Sequence, residues 1–309
     1  MKIIRNTKEI PKNFISVVST GTFDGIHKGH RSILNRMTTI AKEQGLQSVV
    51  ITFEPHPRIA LAMDDFKLKL LTTLDEKLLI FEQLGIDNVF VVDFTKEFAA
   101  TPYEVYVKDF LAKALHCKYV VMGFNHHFGN KRSGNHETLL EMGKMYGYQV
   151  EEIAGQSENN IVASSTKIRH LIENHVIEEA NAMLTYHYSM SGEVVEGRRI
   201  GRTIGFPTAN IKMGDSLKLI PGNGVYGVKA EVDGVIYNGM CNIGYNPTFA
   251  NPTLSVEVNI FDFDRDIYGQ TIKVIFENYI RSEVKFDSVP ELIHQLDRDK
   301  EMVLKKLYE

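Results

Sequence analysis

The first half of the chain alternates between short β-branched runs and amphipathic segments, and this alternation constrains the fold more than any other feature. Strand-like runs such as FISVVST, SVVITFE, VFVVDF, KYVVMGF and YQVEEI are separated by stretches with apolar residues at helical spacing. The segment RSILNRMTTIAKEQG is one of these stretches, and Gly45 marks its predicted end. Strands that alternate with helices are typical of a parallel sheet with crossover helices. We therefore predict an α/β domain with a doubly wound sheet, whose ligands lie at the carboxyl ends of the strands.

The character of the sequence changes after Tyr186, where short strands punctuated by Gly, Pro and Asn replace the long helical periods. Asp233 and Gly234 separate two apolar runs and predict a tight hairpin, because a type I′ turn needs positive φ at both positions. The run LSVEVNIF alternates strictly, with Glu257 on its polar face. We predict that this half is an antiparallel β-barrel closed by a C-terminal helix, which Ser288 caps.

Length and composition bound the number of domains and the class of partner. With 309 residues the chain exceeds the usual size of one hydrophobic core, so we predict two domains, residues 1–185 and 186–309, with a helix over about residues 165–184. A net charge of −4 gives no basic excess for binding nucleic acid. The 2 cysteines lie far apart, and no apolar run has the length of a membrane span or a signal-peptide core. We expect a cytoplasmic protein without nucleic-acid or membrane partners, and its oligomeric state is not readable.

The stretch TGTFDGIHKGH joins the first predicted strand to the first predicted helix and carries two histidines three residues apart. If the helix begins at Lys28, His27 and His30 lie near its N-terminus, where unpaired N–H groups favour an anion. Glycines in the same stretch let the backbone approach a ligand closely. The residues alone leave three interpretations open: a phosphate site, an ordinary turn with two surface histidines, or a zinc site with His56 as third ligand.

Three further stretches narrow the choice: TFEPHP (52–57), GFNHHFG (123–129) and ASSTKIR (163–169). ASSTKIR combines hydroxyls, backbone amides and basic side chains, which suits a triphosphate, although an ordinary Ser/Thr cap has the same composition. With the histidine turn, these stretches resemble in their order the FMN adenylyltransferase module of the bifunctional riboflavin kinase/FMN adenylyltransferases, a branch of the nucleotidylyltransferase superfamily. The resemblance implies that His27 and His30 are catalytic and contact phosphates. It implies that ATP is bound by Gly21, Phe23, His27, His30, Asn125, Ser164, Thr166 and Arg169, and flavin by Phe53, Pro55, His56 and Pro57.

The second half carries a glycine-punctuated basic segment, GRRIGRTIGFPTAN (197–210). Its spacing indicates either a loop around a polyphosphate or a flexible basic hairpin. The side-chain oxygens of Thr208 and Asn210 are of the kind that Mg²⁺ prefers. Glu257 is, from the residues alone, either a catalytic base or a solvated glutamate on the barrel exterior.

Five stretches of this half resemble, in sequence order, the riboflavin kinase module of the same family: GFPTAN, GVYGV, NIGYNPT, EVNIFDFDRDIYG and YIRSEVKF. The resemblance implies an N-terminal Rossmann-like nucleotidylyltransferase domain followed by a riboflavin kinase-like barrel. It implies that Glu257 is the catalytic base, which accepts the proton of the riboflavin 5′-hydroxyl. It implies that ATP is bound by Gly201, Gly205, Pro207, Thr208 and Asn210, Mg²⁺ by Thr208 and Asn210, and flavin by Arg281 and Phe286.

The implied activity is a two-step synthesis of FAD. Riboflavin and Mg–ATP would give FMN, and FMN with a second ATP would give FAD and pyrophosphate. Two positions depart from the family pattern, His126 in an aromatic slot and Asn259 where a histidine is commoner. Two alternatives stay open: an enzyme with one working module, and a non-catalytic flavin-binding protein.

Overall fold

The computed structural model describes residues 1–61, 68–124, 127–154, 157–158, 161–197, 200–246 and 253–308. It divides into two compact units, Met1–Ser165 and Thr166–Glu309. This division falls earlier in the chain than the boundary of 185/186 that the sequence suggested, because the helices between these positions group with the second unit.

The first unit is a parallel sheet with helices on both faces. Its strands are β1 (Lys2–Ile4), β2 (Ser16–Thr20), β3 (Gln47–Glu54), β4 (Asn88–Asp93), β5 (Cys117–Gly123) and β6 (Gln149–Ile153), with a small ribbon of β7 (Ser157–Glu158) and β8 (Ile161–Val162). Its helices are α1 (Lys28–Gln44), α2 (Pro57–Ala60), α3 (Leu74–Gln83), α4 (Lys96–Ala99), α5 (Tyr103–Val105), a π-helical stretch (Tyr106–Ala114), α6 (His136–Tyr146) and two 3₁₀ turns (Thr7–Glu9 and Asn130–Arg132).

The strand order of this sheet is β1-β4-β3-β2-β5-β6, and every pairing in it is parallel. The chain builds β2, β3 and β4 in one direction and then returns to place β5 on the other side of β2. A ligand site in such a sheet lies at this switch point, outside the carboxyl ends of β2 and β5. The predicted doubly wound sheet is confirmed, and β1 is a strand that the sequence did not indicate.

Alternate residues of the central strands build two hydrophobic cores, one on each face. Val17 and Val50 pack with Leu34 of α1 in one core, whereas Val18 and Val49 belong to the other. Each fully buried aliphatic side chain contributes about 1.5–3 kcal/mol. These cores fix α1 against β2, so the turn between them is held at both ends.

The second unit is a closed barrel with helices. Its helices are α7 (Ser165–Glu173, the first residue of which belongs to the first unit), α8 (Ile177–Leu184), α9 (Ile200–Thr203) and α10 (Val289–Tyr308). Its strands are β9 (Ser189–Val195), β10 (Ala209–Met213), β11 (Gly224–Val232), β12 (Val235–Asn246), β13 (Thr253–Ile260) and β14 (Thr271–Arg281). The strands close in the order β10-β13-β12-β11-β14-β9, and every pairing is antiparallel. The predicted barrel and C-terminal helix are confirmed.

One predicted helix was wrong in its extent. The segment 165–184 forms two helices, α7 and α8, because His175 adopts a left-handed φ of 68° that ends α7. The hairpin prediction is confirmed, since Asp233 and Gly234 have φ of 51° and 76°. The predicted cap of α10 is also present: the Ser288 hydroxyl accepts a hydrogen bond from the Glu291 amide at 3.4 Å.

Helix α10 covers part of the outer surface of the barrel. Met240, Phe261 and Val303 form a small core between the barrel strands and this helix. On β13, Val256 and Val258 are buried, while the intervening Glu257 faces the opposite side of the strand. The polar face of β13 is therefore partly enclosed. Among the residues that the structure describes, every helix is too short or too polar to cross a bilayer.

Candidate active sites

The histidine turn, which is the stretch TGTFDGIHKGH (20–30) between β2 and α1, lies at the switch point of the sheet. Its backbone is strained. Phe23 and Ile26 have φ of 48° and 36°, and Gly25 has φ of 81°. Left-handed conformations of non-glycine residues cost energy and cluster at functional sites. At Gly21 a Cβ would come within 3.1 Å of the Phe23 ring, so a larger residue would require this ring to shift by a few tenths of an ångström.

The turn is anchored by Asp24, a residue to which the sequence gave no role. Its buried carboxylate accepts hydrogen bonds from the amides of Leu71 and Thr72 at 2.9 and 3.0 Å. Its backbone carbonyl accepts a bond of 2.8 Å from the Ser165 hydroxyl. Ser164 and the start of ASSTKIR therefore lie beside the histidine turn.

His27 and His30 form a stacked pair at the start of α1, in which His27 is buried and His30 is half-buried. Their ring centroids are 3.8 Å apart and their planes differ by 17°. His27 is the N-cap of α1 but makes no side-chain capping bond, and the Nδ1 atoms of both rings are buried without a hydrogen-bond partner in the described part of the chain. Burial lowers the pKa of His27 to about 4 and that of His30 well below its usual value. Both rings are therefore neutral at pH 7.

The zinc interpretation of this turn gains no support. Within the described ranges no three His, Cys, Asp or Glu side chains are grouped so that they could hold a metal ion. His56 instead caps α2, where its Nδ1 accepts a hydrogen bond of 3.1 Å from the Arg58 amide. Two neutral rings at a helix N-terminus are donors suited to an anion.

A second residue that sequence reasoning missed is Lys77 on α3. It is 4% exposed, and its ammonium donates a hydrogen bond of 3.3 Å to the carbonyl oxygen of Thr22 in the histidine turn. Burial lowers the pKa of Lys77, while the negative charges of Asp24 and Glu54 oppose this shift. The first unit thus keeps a buried cation at the carboxyl ends of β2 and β3.

The TFEPHP segment ends β3, next to β2, beside a group of aromatic rings. Phe53 contacts Phe94 with a centroid distance of 5.4 Å, and Phe98 lies 6.1 Å from Phe53 and 6.4 Å from Tyr106. The Tyr106 hydroxyl is 2.9 Å from the Thr20 hydroxyl at the end of β2. Pro55, which follows a cis peptide bond, and Pro57 flank His56 at the same edge.

The structure describes all but one of the predicted ATP-binding residues of this module. Asn125, like the neighbouring His126, lies outside the described residues. Thr166 and Arg169 lie in the first turns of α7, in the second compact unit. The structure brings Gly21, Phe23, His27 and His30 into contact, and Ser164 directly precedes the Ser165 that bonds Asp24.

The kinase candidate is a cavity of about 310 Å³ between the barrel and α10. Glu257 and Thr208 both line it, and their side-chain oxygens are 3.5 Å apart. Asn210 pairs directly with Glu257 across β10 and β13, so the two side chains share one face. The lining includes Gly201, Phe206, Thr208, Asn242, Glu257, Asn259, Arg281, Glu283 and Phe286.

The local backbone explains the glycines and Asn259 of this site. A Cβ at Gly201 would collide with the Phe206 carbonyl oxygen, and one at Gly197 with the Asn210 amide. Gly205 has φ of 86°, where a side chain would be strained. Asn259, which departs from the family pattern, donates a bond of 2.7 Å to the Pro207 carbonyl and so holds the PTAN segment.

A second cavity of about 500 Å³ meets the first at Thr208. Pro207 and Ala209 line it on one side, and the segment 263–268 lines it on the other. Thr208 therefore separates two adjoining spaces, which is the arrangement that transfer between two substrates requires.

The two cysteines are buried, and burial raises the pKa of Cys117 to about 12 and that of Cys241 as well, so neither is a nucleophile.

Comparison with known proteins finds a family match for each half of the chain. The FAD synthetase family model matches residues 9–167, and the riboflavin kinase family model matches residues 184–307. A bifunctional riboflavin kinase/FMN adenylyltransferase of Bacillus subtilis (strain 168) is 39% identical over 94% of this chain and 92% of its own length. That of Listeria monocytogenes (serovar 1/2a) is 40% identical over 92% of this chain and 90% of its own length.

A crystal structure from Streptococcus pneumoniae shares the fold, with a TM-score of 0.89 and 34% identity over 97% of each chain. That protein is named a macrolide-efflux protein, whereas both family models and the curated relatives are named for flavin chemistry. The models and relatives cover nearly the whole of this chain, and their order along it is that of the two sites described above. The chain therefore belongs to the family of bifunctional riboflavin kinase/FMN adenylyltransferases.

Proposed function

We propose that the two activities of the family reside in this chain at two separate sites. The barrel unit phosphorylates riboflavin with ATP to give FMN and ADP, and the sheet unit transfers an adenylyl group from a second ATP to FMN, releasing FAD and pyrophosphate. The observation that carries this proposal is that each site holds the groups its own nucleophile needs. The site in the barrel unit has a carboxylate beside a hydroxyl in a cavity. The site in the sheet unit has neutral hydrogen-bond donors at a helix N-terminus.

The kinase reaction starts from a neutral hydroxyl, which must lose its proton during attack on the γ-phosphate. Glu257 is the acceptor, because its carboxylate lies 3.5 Å from the Thr208 hydroxyl in the cavity, whereas Glu283, which also lines the cavity, is an exposed residue. The larger neighbouring space beyond Thr208, which Pro207 lines, takes the nucleotide, and Gly201 and Gly205 belong to the segment that leads to it. Arg281 and Phe286, whose guanidinium and ring are 5.9 Å apart, take the flavin side.

The oxygens of Thr208 and Asn210 fit Mg²⁺ as a cofactor of this step. They are hard ligands on the same face as Glu257, and their donor set contains neither sulfur nor imidazole. Bound Mg²⁺ would neutralise part of the phosphate charge. Asn259 supports the group indirectly, since it fixes the carbonyl of Pro207 just before Thr208.

The adenylyltransferase reaction starts from an anionic phosphate and needs no strong base. Positioning and stabilisation of charge are then the main requirements. His27 and His30, neutral and adjacent to the first-turn amides of α1, donate hydrogen bonds to the phosphates of ATP. Ser164 and, from α7, Thr166 and Arg169 add further donors, with Asn125 as a ligand of the nucleotide.

The flavin of this second step lies against the TFEPHP segment. Phe53, Pro55, His56 and Pro57 form the edge of the site, and the aromatic group around Phe53 offers apolar rings that an isoalloxazine can contact. We place the functional boundary at 185/186, as the second family match begins at residue 184. A cytoplasmic location without nucleic-acid partners completes the proposal.

A product assay tests this function. The protein is incubated with Mg–ATP and either riboflavin or FMN, and the flavins are separated by chromatography. We expect riboflavin to give FMN and then FAD, and FMN to give FAD. FMN without FAD would remove the adenylyltransferase claim. FAD from FMN, with no product from riboflavin, would remove the kinase claim, and flavin binding without turnover of ATP would indicate a non-catalytic protein.

A further inference from the structure

The guanidinium of Arg281 is held rigidly by α10. Its Nε donates to both carboxylate oxygens of Asp299, at 2.9 and 3.0 Å, and its Nη2 donates to one of them at 2.7 Å. Its Nη1 donates to the Ser282 carbonyl at 2.9 Å. Arg281 sits at the end of β14 with its side chain 18% exposed, whereas Asp299 is fully buried in the middle of α10.

Asp299 is itself fixed by its own helix. Gln295, one turn earlier, donates a hydrogen bond of 2.9 Å to its Oδ1. Leu296 and Val303, on the same stripe, pack against the barrel and seal the carboxylate from solvent. A buried carboxylate is costly unless it is paired and hydrogen-bonded, and such a pair is weak evidence for a purely stabilising role.

Among the residues that the structure describes, the bonds to Asp299 and Ser282 use three of the five N–H groups of the guanidinium. The remaining two belong to Nη1 and Nη2, the edge of the fork that Asp299 does not cover. Arg281 lines the same cavity as Glu257 and Thr208, so this edge is available to a planar or anionic group of the substrate.

We propose that Asp299 is a positioning residue of the riboflavin kinase site, acting through Arg281, with Gln295 as its support. The proposal rests on the proposed role of Arg281 toward the flavin and its phosphate. The C-terminal helix is thereby a working part of the kinase site, because it sets the direction in which the guanidinium presents its unused edge.

A double-mutant cycle tests this coupling. Full-length protein is prepared as Asp299→Asn, Arg281→Ala and the double variant, with Asp297→Asn as the control because Asp297 is an exposed acid on the same helix. Initial rates of FMN formation give kcat and the KM values for riboflavin and ATP. We expect Asp299→Asn to lower kcat about 10- to 100-fold, since small misplacements of a catalytic group have effects of this size. The KM for ATP and the rate of the control should change less than about twofold.

The double variant decides how Asp299 acts. If it acts through Arg281, Asp299→Asn adds nothing to the loss caused by Arg281→Ala. Losses that multiply would show an independent, structural role and overturn the proposal, as would an unchanged kcat in Asp299→Asn. No effect of Arg281→Ala would instead refute the role of Arg281 itself. Should Asp299→Asn fail to fold, Gln295→Ala removes only the supporting bond, and an unchanged kcat in that folded variant would also count against the proposal.

Discussion

The stacked histidines make a quantitative prediction about acid stability. His27 is 7% exposed, and burial lowers its pKa from 6.5 to about 4. Between these two pH values the unfolded chain binds a proton at this position that the folded chain does not. The stabilising contribution of neutral His27 is therefore complete above pH 6.5 and is lost as the pH falls toward 4.

The size of the effect follows from the shift. Lowering the pH from 7.5 to 5.0 costs about 2 kcal/mol of folding free energy from His27 alone, and the limit below pH 4 is about 3 kcal/mol. The pKa of His30 is shifted in the same direction, by burial and by its neighbour His27. Both histidines therefore lower the stability of the folded state as the pH falls below 6.5.

His27→Asn isolates this contribution, because asparagine is a good N-cap and does not titrate. Urea unfolding of the wild type and the variant at pH 7.5 and 5.0 gives the difference in pH dependence. His116→Asn is the matched control, as His116 is exposed and has φ of 43°, a conformation that asparagine tolerates. Imidazole titration by NMR measures the pKa directly.

We expect the wild type to lose about 2 kcal/mol more than His27→Asn between pH 7.5 and 5.0, and the control to behave as the wild type. Equal pH dependence of wild type and His27→Asn would refute the reasoning. So would a His27 titration near 6.5, because it would mean that burial does not set the charge of the pair.

Three substitutions test the kinase site, the adenylyltransferase site and the supporting residue Lys77 separately. Glu257→Gln should lower FMN formation from riboflavin about 10²- to 10⁴-fold, as expected for loss of a general base, while FAD formation from FMN persists; equal loss of both reactions in a folded protein would contradict two-site catalysis. His30→Ala should do the reverse and abolish FAD formation from FMN while FMN formation stays intact. Retained FAD synthesis in this variant would show that His30 is not a required hydrogen-bond donor to the phosphates. Lys77→Met should reduce FAD formation about 10-fold because the Thr22 carbonyl loses its anchor, whereas Lys42→Met, at an exposed lysine of α1, should not; equal rates in these two variants would remove Lys77 from the site.

Local sequence patterns were sufficient to predict the architecture, because the spacing of apolar residues differs between the two halves of the chain. The doubly wound sheet, the barrel, the hairpin at Asp233 and the cap at Ser288 all follow from spacing and turn chemistry. The break between α7 and α8 could not be predicted from spacing and turn chemistry, since Asn174 and His175 are neither Gly nor Pro. Strand β1 was missed because it is 3 residues long and finds its partner, β4, far along the chain.

The supporting residues of both sites were missed for a common reason, although the sequence does carry a signal for them. Lys77 stands between Leu74 and Phe81 on the apolar stripe of α3, and Asp299 stands between Leu296 and Val303 on that of α10. A charged residue at a stripe position must be buried, and a buried charge needs a partner. The stripe predicts that such a partner exists, but only the fold reveals that the partners are the Thr22 carbonyl and Arg281.

The difference in nucleophile accounts for the difference between the two sites. A hydroxyl has to be deprotonated, and the barrel site keeps a carboxylate, Glu257, exposed to its cavity. A phosphate is already anionic, so a free carboxylate at the sheet site would repel it. The acid closest to the histidine turn, Asp24, has its Oδ1 bonded to the amides of Leu71 and Thr72 and is 2% exposed. This carboxylate shapes the turn, and we expect the ligand to meet neutral imidazoles, backbone amides and the basic side chain of Arg169 instead.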